Sequence, residues 1–224
     1  MSTLSSVAAQ ALQRKITSAD YAPGSRLPSQ RALAESLGIS RTSLREAISM
    51  LEALGLVRSH PGKGVYVSER TPHSSDDVPR GPAGVTAESI FQLRYIVEPA
   101  AAALAARHGN TAVDELQETQ GQLERALTRL DLVAAAEWDL EFHKRIARHS
   151  GNPSLAEVMQ ESRIKIGYSL RLPFANTQRV WETVDEHRAV IQAVATGDAE
   201  QARRAMQRHL LAAADRIGIR FEQP

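Results

Sequence analysis

The sequence predicts a mainly α-helical protein of two modules, an N-terminal winged helix-turn-helix and a C-terminal all-α helical bundle. Three observations favour this fold class: a helix, helix, tight turn, helix, hairpin order near the start, a Pro/Gly-rich stretch after it, and nearly continuous helical periodicity beyond. We expect the winged helix-turn-helix over residues 1–70, a linker over 71–84, and the helical domain over 85–224.

Composition excludes several classes of protein. Hydrophobic residues make up 42% and charged residues 24% of the 224 residues, a globular balance that excludes a wholly disordered chain. The chain has no cysteine, which excludes disulfide scaffolds, Cys-ligated zinc and thiol catalysis. It shows no signal-peptide pattern and no apolar run long enough to span a bilayer, so we expect a cytoplasmic protein without membrane association.

Charge differs between the two modules. Residues 1–75 carry nine Lys/Arg and five Asp/Glu, a net charge of +4, whereas the remainder carries 18 and 21, a net charge of −3. A basic first module beside an acidic second one indicates that only the first binds a polyanion.

The elements of the first module follow from apolar spacing and breakers. A first helix is predicted by four apolar residues at helical spacing: Leu4, Ala8, Leu12 and Ile16. A second helix begins after Ser29 and stops at Gly38. Ser40 is a good N-cap for a third helix over 41–54, and two short strands around the turn at 61–64 complete a wing.

Two arginines identify the third helix as the candidate recognition helix. Arg41 and Arg45 are four residues apart, opposite the leucine stripe and in the first turns, which is the end that a recognition helix presents to the major groove. Arginine reads guanine through two hydrogen bonds or clamps phosphate, and Thr42 and Ser43 add hydroxyl donors beside it.

Three further residues extend this candidate DNA-binding surface. Arg31 begins the second helix, where it faces the flanking DNA backbone, and Gly62 and Lys63 at the wing tip allow close approach to a phosphate. Each arginine taken singly is more typical of a solvated helix face. The whole set favours binding to double-stranded DNA.

Helices dominate the second module. We expect them near residues 86–107, 111–129, 131–149, 153–171, 177–196 and 198–220. Four polar residues on three of these helices interrupt apolar stripes: Asp139, His143, His187 and His209.

These four polar residues form a candidate metal site. Asp139 and His143 are four residues apart, so one helix offers an oxygen and a nitrogen to the same point, and a bundle core can bring other helices to meet it. One Asp with three His suits a divalent transition metal such as Zn²⁺, Ni²⁺, Mn²⁺ or Fe²⁺. The alternative for each histidine alone is a core imidazole bonded to a neighbouring group.

Arg94 is another polar residue within an apolar stripe. A buried guanidinium needs an anionic partner. That partner is either Glu98, one helical turn further along, or a carboxylate ligand held beside the metal.

The first module resembles the DNA-binding domain of the GntR family of bacterial regulators over most of residues 4–68. The segments that carry the resemblance are Leu27–Ala34, Leu37–Ala47 and Leu51–Val57. The resemblance implies DNA contacts at Arg31, Arg41 and Arg45 and a wing contact near Gly62. The wing departs from the usual Gly-Ser-Gly and reads Pro-Gly-Lys-Gly over 61–64.

The second module is similar to the effector domain of the FadR subfamily, known as FCD, from about Glu88 to Leu210. The matching segments lie at 139–153, 186–191 and 206–210. In metal-binding members the ligands fall on Asp139, His143, His187 and His209, although some members use no metal. The family often uses an Arg at position 94 for organic acids.

Together these features predict a ligand-responsive transcription regulator, in the family's usual case a repressor, that is not an enzyme. We expect a homodimer on a palindromic operator, with a small carboxylate effector beside the metal. The alternative is a metal-dependent hydrolase or oxygenase with a nucleic-acid-binding appendage. The sequence disfavours it, because neither an HExxH motif nor the Glu-x-x-His pairs of di-iron bundles are present.

Overall fold

The fold is taken from a computed structural model that describes residues 3–69, 81, 84–108 and 112–223. Nearly all of the predicted linker, 71–84, lies outside the described residues, so the module boundaries stay predictions.

The first module has the predicted element order. Three helices precede an antiparallel hairpin in which Val57 pairs with Val67 and His60 with Gly64. The elements are α1 (Leu4–Thr17), α2 (Gln30–Leu37), α3 (Arg41–Ala53), β1 (Val57–His60) and β2 (Gly64–Val67).

Local signals explain where these helices begin and end. The side chains of Thr3, Ser29 and Ser40 each accept a backbone N–H in the first turn of α1, α2 and α3. Gly38 ends α2 with a φ of 64°, a left-handed conformation that glycine adopts without a steric penalty. This turn sets the angle at which α3 leaves α2.

The segment that precedes α2 pairs with the hairpin, a contact that the sequence did not predict. The N–H of Leu27 donates to the carbonyl of Val65 at 2.8 Å, and the N–H of Val67 donates to the carbonyl of Ser25 at 2.9 Å. The chain before α2 therefore pairs with β2 and fixes the wing against the helices.

The core of this module confirms most of the predicted stripes. Leu12, Leu44 and Leu51 are fully buried. Leu4, predicted to belong to the stripe of α1, is instead 67% exposed. It is the first residue of α1, and the buried face of this helix begins with Ser5 and Ser6.

The described part of the second module contains seven α-helices and a short 3₁₀ segment at Leu172–Ala175. The helices are α4 (Ala87–Arg107), α5 (Val113–Thr128), α6 (Leu132–His149), α7 (Pro153–Glu161), α8 (Arg163–Arg171), α9 (Glu182–Ala195) and α10 (Ala199–Asp215). None of the helices in the described ranges is long and apolar enough to cross a membrane.

Three predicted boundaries in the second module are wrong, and one of them is the end of the last helix, which is expected near 220 but lies at Asp215. The single helix expected over 153–171 is broken at Ser162, whose φ and ψ of −85° and 3° leave the helical region, so that α7 and α8 are separate. The helix expected from 177 begins at Glu182, because the preceding residues form turns, with the N–H of Arg179 bonded to the carbonyl of Asn176.

The bundle core is small and mostly aliphatic. α4, α5, α6, α9 and α10 pack around side chains that include Leu116, Phe142, Val190 and Met206, together with several alanines. Alanine lets helices approach closely, which brings polar side chains from different helices within contact distance. The two modules also share apolar contacts, since Ala53 of α3 lies in one cluster with Ile166 of α8.

Candidate metal centre and nucleic-acid interface

Four buried polar side chains meet at one point in the bundle. Asp139 and His143 come from α6, His187 from α9 and His209 from α10. Their candidate ligand atoms all lie within 4.8 Å of one another. The structure therefore brings together all four residues that the sequence predicted.

The distances are those of converging donor atoms. His187 Nε2 lies 3.2 Å from Asp139 Oδ1, and His143 Nε2 lies 3.9 Å from the same oxygen. His143 Nε2 and His209 Nε2 are 3.2 Å apart. All three histidines thus point their Nε2 atoms into one small space.

Helix geometry and ring packing hold these side chains. Asp139 and His143 are one turn apart on α6, so their side chains lie side by side on one face. The ring of Phe142 stacks on the ring of His187, with centroids 3.8 Å apart and an interplanar angle of 9°. The imidazole of His187 is therefore fixed between α6 and α9.

Each histidine turns its other ring nitrogen toward an acceptor on another helix. Glu98 Oε2 on α4 lies 2.7 Å from His143 Nδ1, as an ion-pair contact rather than an aligned hydrogen bond. Gln120 Oε1 on α5 lies 3.2 Å from His187 Nδ1, and Glu186 Oε2 on α9 lies 2.8 Å from His209 Nδ1.

Sequence reasoning did not identify these acceptors as part of the site. Glu98 entered only as a partner for Arg94. Gln120 interrupts the apolar stripe of Leu116 and Leu123 on α5, which is the same kind of signal that identified the histidines. Glu186 directly precedes His187 in sequence but reaches His209 on α10, a contact that only the fold creates.

Electrostatics keep the cluster in a state suited to a cation. Burial lowers the pKa of His187 and, further, that of His209, so both imidazoles are neutral at pH 7. Burial would raise the pKa of Glu98, but Arg94 and His143 outweigh it and lower that pKa to about 2. Burial raises the pKa of Glu186 to about 7 against the opposing effect of Arg216.

The four side chains of the cluster fit a metal ion because nitrogen and oxygen lone pairs face one another there without a hydrogen bond that joins them. The Nδ1–H tautomers that acceptors at Glu98, Gln120 and Glu186 favour would leave two Nε2 lone pairs facing each other at 3.2 Å with no proton between them. Asp139 Oδ1 and His187 Nε2 are buried and make no hydrogen bond. A cation would relieve both defects, so this buried His/Asp cluster could hold a metal.

Arg94 lies beside the cluster and is 1% exposed. Its Nε donates to Glu98 Oε1 at 2.8 Å, and its Nη1 donates to Ser169 Oγ at 3.3 Å. Its Nη2 lies 3.4 Å from His143 Nε2. The structure therefore pairs Arg94 with the internal partner that the sequence offered and also places it against the candidate metal ligands.

Arg216 forms a second buried ion pair on the other side of the cluster. Its Nη2 donates to Glu186 Oε2 at 2.6 Å, next to the contact between that oxygen and His209. The sequence analysis did not single out Arg216. Arg216 follows the last residue of α10, and at a helix end the apolar spacing no longer predicts which side chains are buried.

Most of the predicted DNA-binding residues are exposed to solvent. Arg41, Thr42 and Arg45 are exposed on the first turns of α3. Arg31 on α2 is exposed as well, at 3.8 Å from Glu35. The hydroxyl of Ser43 lies 3.0 Å from that of Ser40, so it is partly used in the helix cap.

The wing adds a basic residue that the sequence analysis did not name. Gly62 has a φ of 71° and forms the turn with the exposed Lys63. A Cβ atom added to Gly64 would lie 2.8 Å from Arg26 Nε, so the exposed Arg26 side chain crosses the hairpin at this glycine. Its guanidinium therefore lies against Gly64 of the wing.

Comparison with known proteins agrees with the two modules. The family described as bacterial regulatory proteins, gntR family, matches residues 4–67, and the FCD domain matches residues 89–212. The E. coli McbR/YncC structure has a TM-score of 0.51 at 22% identity over 95% of each chain, which supports the fold alone.

Two curated relatives match over most of their length. The HTH-type transcriptional regulator LutR of Bacillus subtilis is 30% identical over 221 residues, which cover 93% of this chain and 98% of that protein. The Uxu operon transcriptional regulator of Escherichia coli is 29% identical over 202 residues, covering 85% and 77%. The chain belongs to the gntR family of bacterial regulatory proteins, as a DNA-binding transcription regulator of the FadR subfamily with an FCD effector domain.

Proposed function

We propose that this regulator binds a divalent transition metal in its helical domain and responds there to a small organic acid. The observation that carries the proposal is the set of four buried donors, Asp139, His143, His187 and His209, whose ligand atoms lie within 4.8 Å of one another. One carboxylate with three imidazoles is a donor set for Zn²⁺, Ni²⁺, Mn²⁺ or Fe²⁺.

The effector in this proposal is a carboxylate, and Arg94 is the residue that recognises it. The guanidinium is buried beside His143 and retains donor capacity after its contact with Glu98. Arginine binds carboxylates through charge-assisted hydrogen bonds, which are strong where water is excluded. A metal held by four protein ligands supplies Lewis acidity and further positions for such an acid.

DNA binding is proposed to occur as a homodimer on a palindromic operator in the cytoplasm. Two copies of α3, each presenting Arg41 and Arg45, would then read two half-sites, while Arg31 and Lys63 contact the backbone. We expect a repressor that the acid releases, which is the family's usual case. The effector can act only by binding the two conformational states of the protein unequally.

The alternative is a metal-dependent hydrolase or oxygenase joined to a DNA-binding domain. The curated relatives described above are transcription regulators, which favours regulation over catalysis. A fourth protein ligand also leaves less room for reaction than a three-ligand catalytic site. We therefore propose that the chain is not an enzyme.

One experiment tests the proposal as a whole. Zn²⁺-loaded and chelator-stripped protein are screened against sugar acids, hydroxy acids and dicarboxylates by thermal shift. Each acid that stabilises only the loaded protein is then added to an operator-binding assay, and the acid is assayed for turnover. Altered operator affinity with unchanged acid supports regulation. Turnover of the acid supports the enzyme, and equal stabilisation of stripped protein contradicts the metal site.

A further inference from the structure

Three side chains outside the predicted ligand set each face one ligand histidine. Glu98, Gln120 and Glu186 stand at the Nδ1 atoms, at 2.7, 3.2 and 2.8 Å, and they belong to α4, α5 and α9. Every histidine of the cluster thus contacts an acceptor from a helix other than its own.

An acceptor at Nδ1 determines which ring nitrogen of a neutral histidine carries its single proton. A neutral imidazole carries a single N–H, and an unrestrained ring populates both tautomers. An acceptor at Nδ1 draws the proton there and leaves the Nε2 lone pair free for a metal. In the absence of such an acceptor, His187 would instead donate an Nε2–H to Asp139 Oδ1, which lies 3.2 Å away.

The three acceptors are themselves held in place. Arg94 binds Glu98 at 2.8 Å, and Arg216 binds Glu186 at 2.6 Å. The Gln120 amide nitrogen lies 3.3 Å from the Val184 carbonyl and so turns the amide oxygen toward His187. Two buried arginine–glutamate pairs and one oriented amide therefore surround the cluster.

We propose that Glu98, Gln120 and Glu186 are positioning residues that fix the tautomer of the three histidines and so set the metal affinity of this site. This inference rests on the proposed metal site and adds to it the residues that prepare the ligands. Loss of such a partner of a ligand histidine costs about 10–100-fold in metal affinity.

Gln120→Leu is the main test, because it removes the acceptor without changing charge. The matched control is Gln117→Leu, at an exposed position one turn away on α5. Zn²⁺ affinity is measured on the full chain by competition with a chromogenic chelator. We expect a loss of about 10–100-fold in Gln120→Leu and none in Gln117→Leu. Equal affinities in the two variants would overturn the proposal.

The tautomer of His187 is a second readout, because it would stay unchanged if Gln120 had only a structural role. Long-range ¹H–¹⁵N spectra of metal-free protein report which ring nitrogen carries the proton. We expect His187 as Nδ1–H in the wild type and a shift toward Nε2–H in Gln120→Leu. An unchanged His187 tautomer would contradict the inference even if affinity falls.

A second pair of variants covers the case in which Gln120→Leu does not fold. Glu186→Leu removes the acceptor at His209, and Asp185→Leu is its exposed control on α9. We expect weaker Zn²⁺ binding only in Glu186→Leu. A wild type that binds no Zn²⁺ but keeps all three Nδ1–H tautomers would refute the metal site and the effect on metal affinity, and would support only the effect on the tautomers. A wild type that binds Zn²⁺ with mixed tautomers would refute the positioning role alone.

Discussion

Gln13 in α1 accepts the backbone N–H of Val133, in the first turn of α6, at 3.0 Å. Its amide nitrogen donates to the carbonyl of Leu130 at 2.8 Å, and the side chain is 4% exposed. α6 also carries Asp139 and His143. The first helix of the DNA-binding module is therefore bonded directly to the helix that supplies half of the candidate metal ligands.

Gln13→Met should destabilise the protein. The variant leaves the N–H of Val133 and the carbonyl of Leu130 without their partner, and a buried polar group left unsatisfied costs roughly 1–3 kcal/mol. Urea unfolding measures the change. Gln160→Met, at an exposed position of α7, is the control. Equal unfolding free energies in the two variants would show that the bridge does not contribute.

Arg45→Ala should weaken specific DNA binding by about 1–3 kcal/mol and change the preference at one position in each half-site, if the side chain reads a base. Binding is measured with a library of operator variants at fixed salt. Arg204→Ala, exposed on α10, removes the same charge away from the DNA-binding face. A uniform loss across all sequences would make Arg45 a phosphate contact, and no loss would remove it from the interface.

His187→Ala should lower the metal content and reduce thermal stability. The candidate ligands lie on three helices, so an ion bound only by the folded state stabilises that state by mass action. Metal analysis after dialysis and a melting curve measure both effects, with His108→Ala as an exposed control. Equal and near-zero metal in the wild type and both variants would identify His187 as an ordinary core histidine.

Arg94→Gln should abolish the response to the organic acid. Removing one partner of a buried charge pair costs the bound acid about 2–5 kcal/mol. Because the same change also leaves Glu98 unpaired, metal content is measured in the variant as well, and the control is Arg188→Gln, which removes an exposed ion-paired arginine on α9. We expect only Arg94→Gln to lose the acid response in an operator-binding titration. A normal response in Arg94→Gln would show that other residues hold the acid.

Glu98 should make the metal-free protein sensitive to acid. Its pKa of about 2 in the folded state lies below the ordinary 4.5, so its stabilising effect is complete above pH 4.5 and is lost as the pH falls toward 2. The full loss corresponds to about 3 kcal/mol. The difference in unfolding free energy between wild type and Glu98→Gln should therefore narrow as the pH falls from 5 to 3, with the remainder lost toward pH 2. A constant difference would contradict the lowered pKa, and the exposed Glu118→Gln provides the control.

The sequence by itself determined the fold class and identified the candidate ligand set. Apolar spacing and capping residues such as Ser40 act within a few residues, so α1, α3 and the wing are readable from local pattern. Asp139, His143, His187 and His209 were identifiable because a charged or polar side chain in an apolar stripe is costly unless it has a partner. The break at Ser162 and the exposure of Leu4 were missed because both depend on what the rest of the chain covers.

Only the tertiary structure decided which side chains lie at the Nδ1 atoms of the candidate ligand histidines. Glu98, Gln120 and Glu186 are separated from their histidines by 45, 67 and 23 positions, and their roles arise where α4, α5, α9 and α10 pack together. The bond between Gln13 and Val133 likewise spans 120 positions. Such contacts follow from how whole helices pack against one another, and no local spacing encodes that packing.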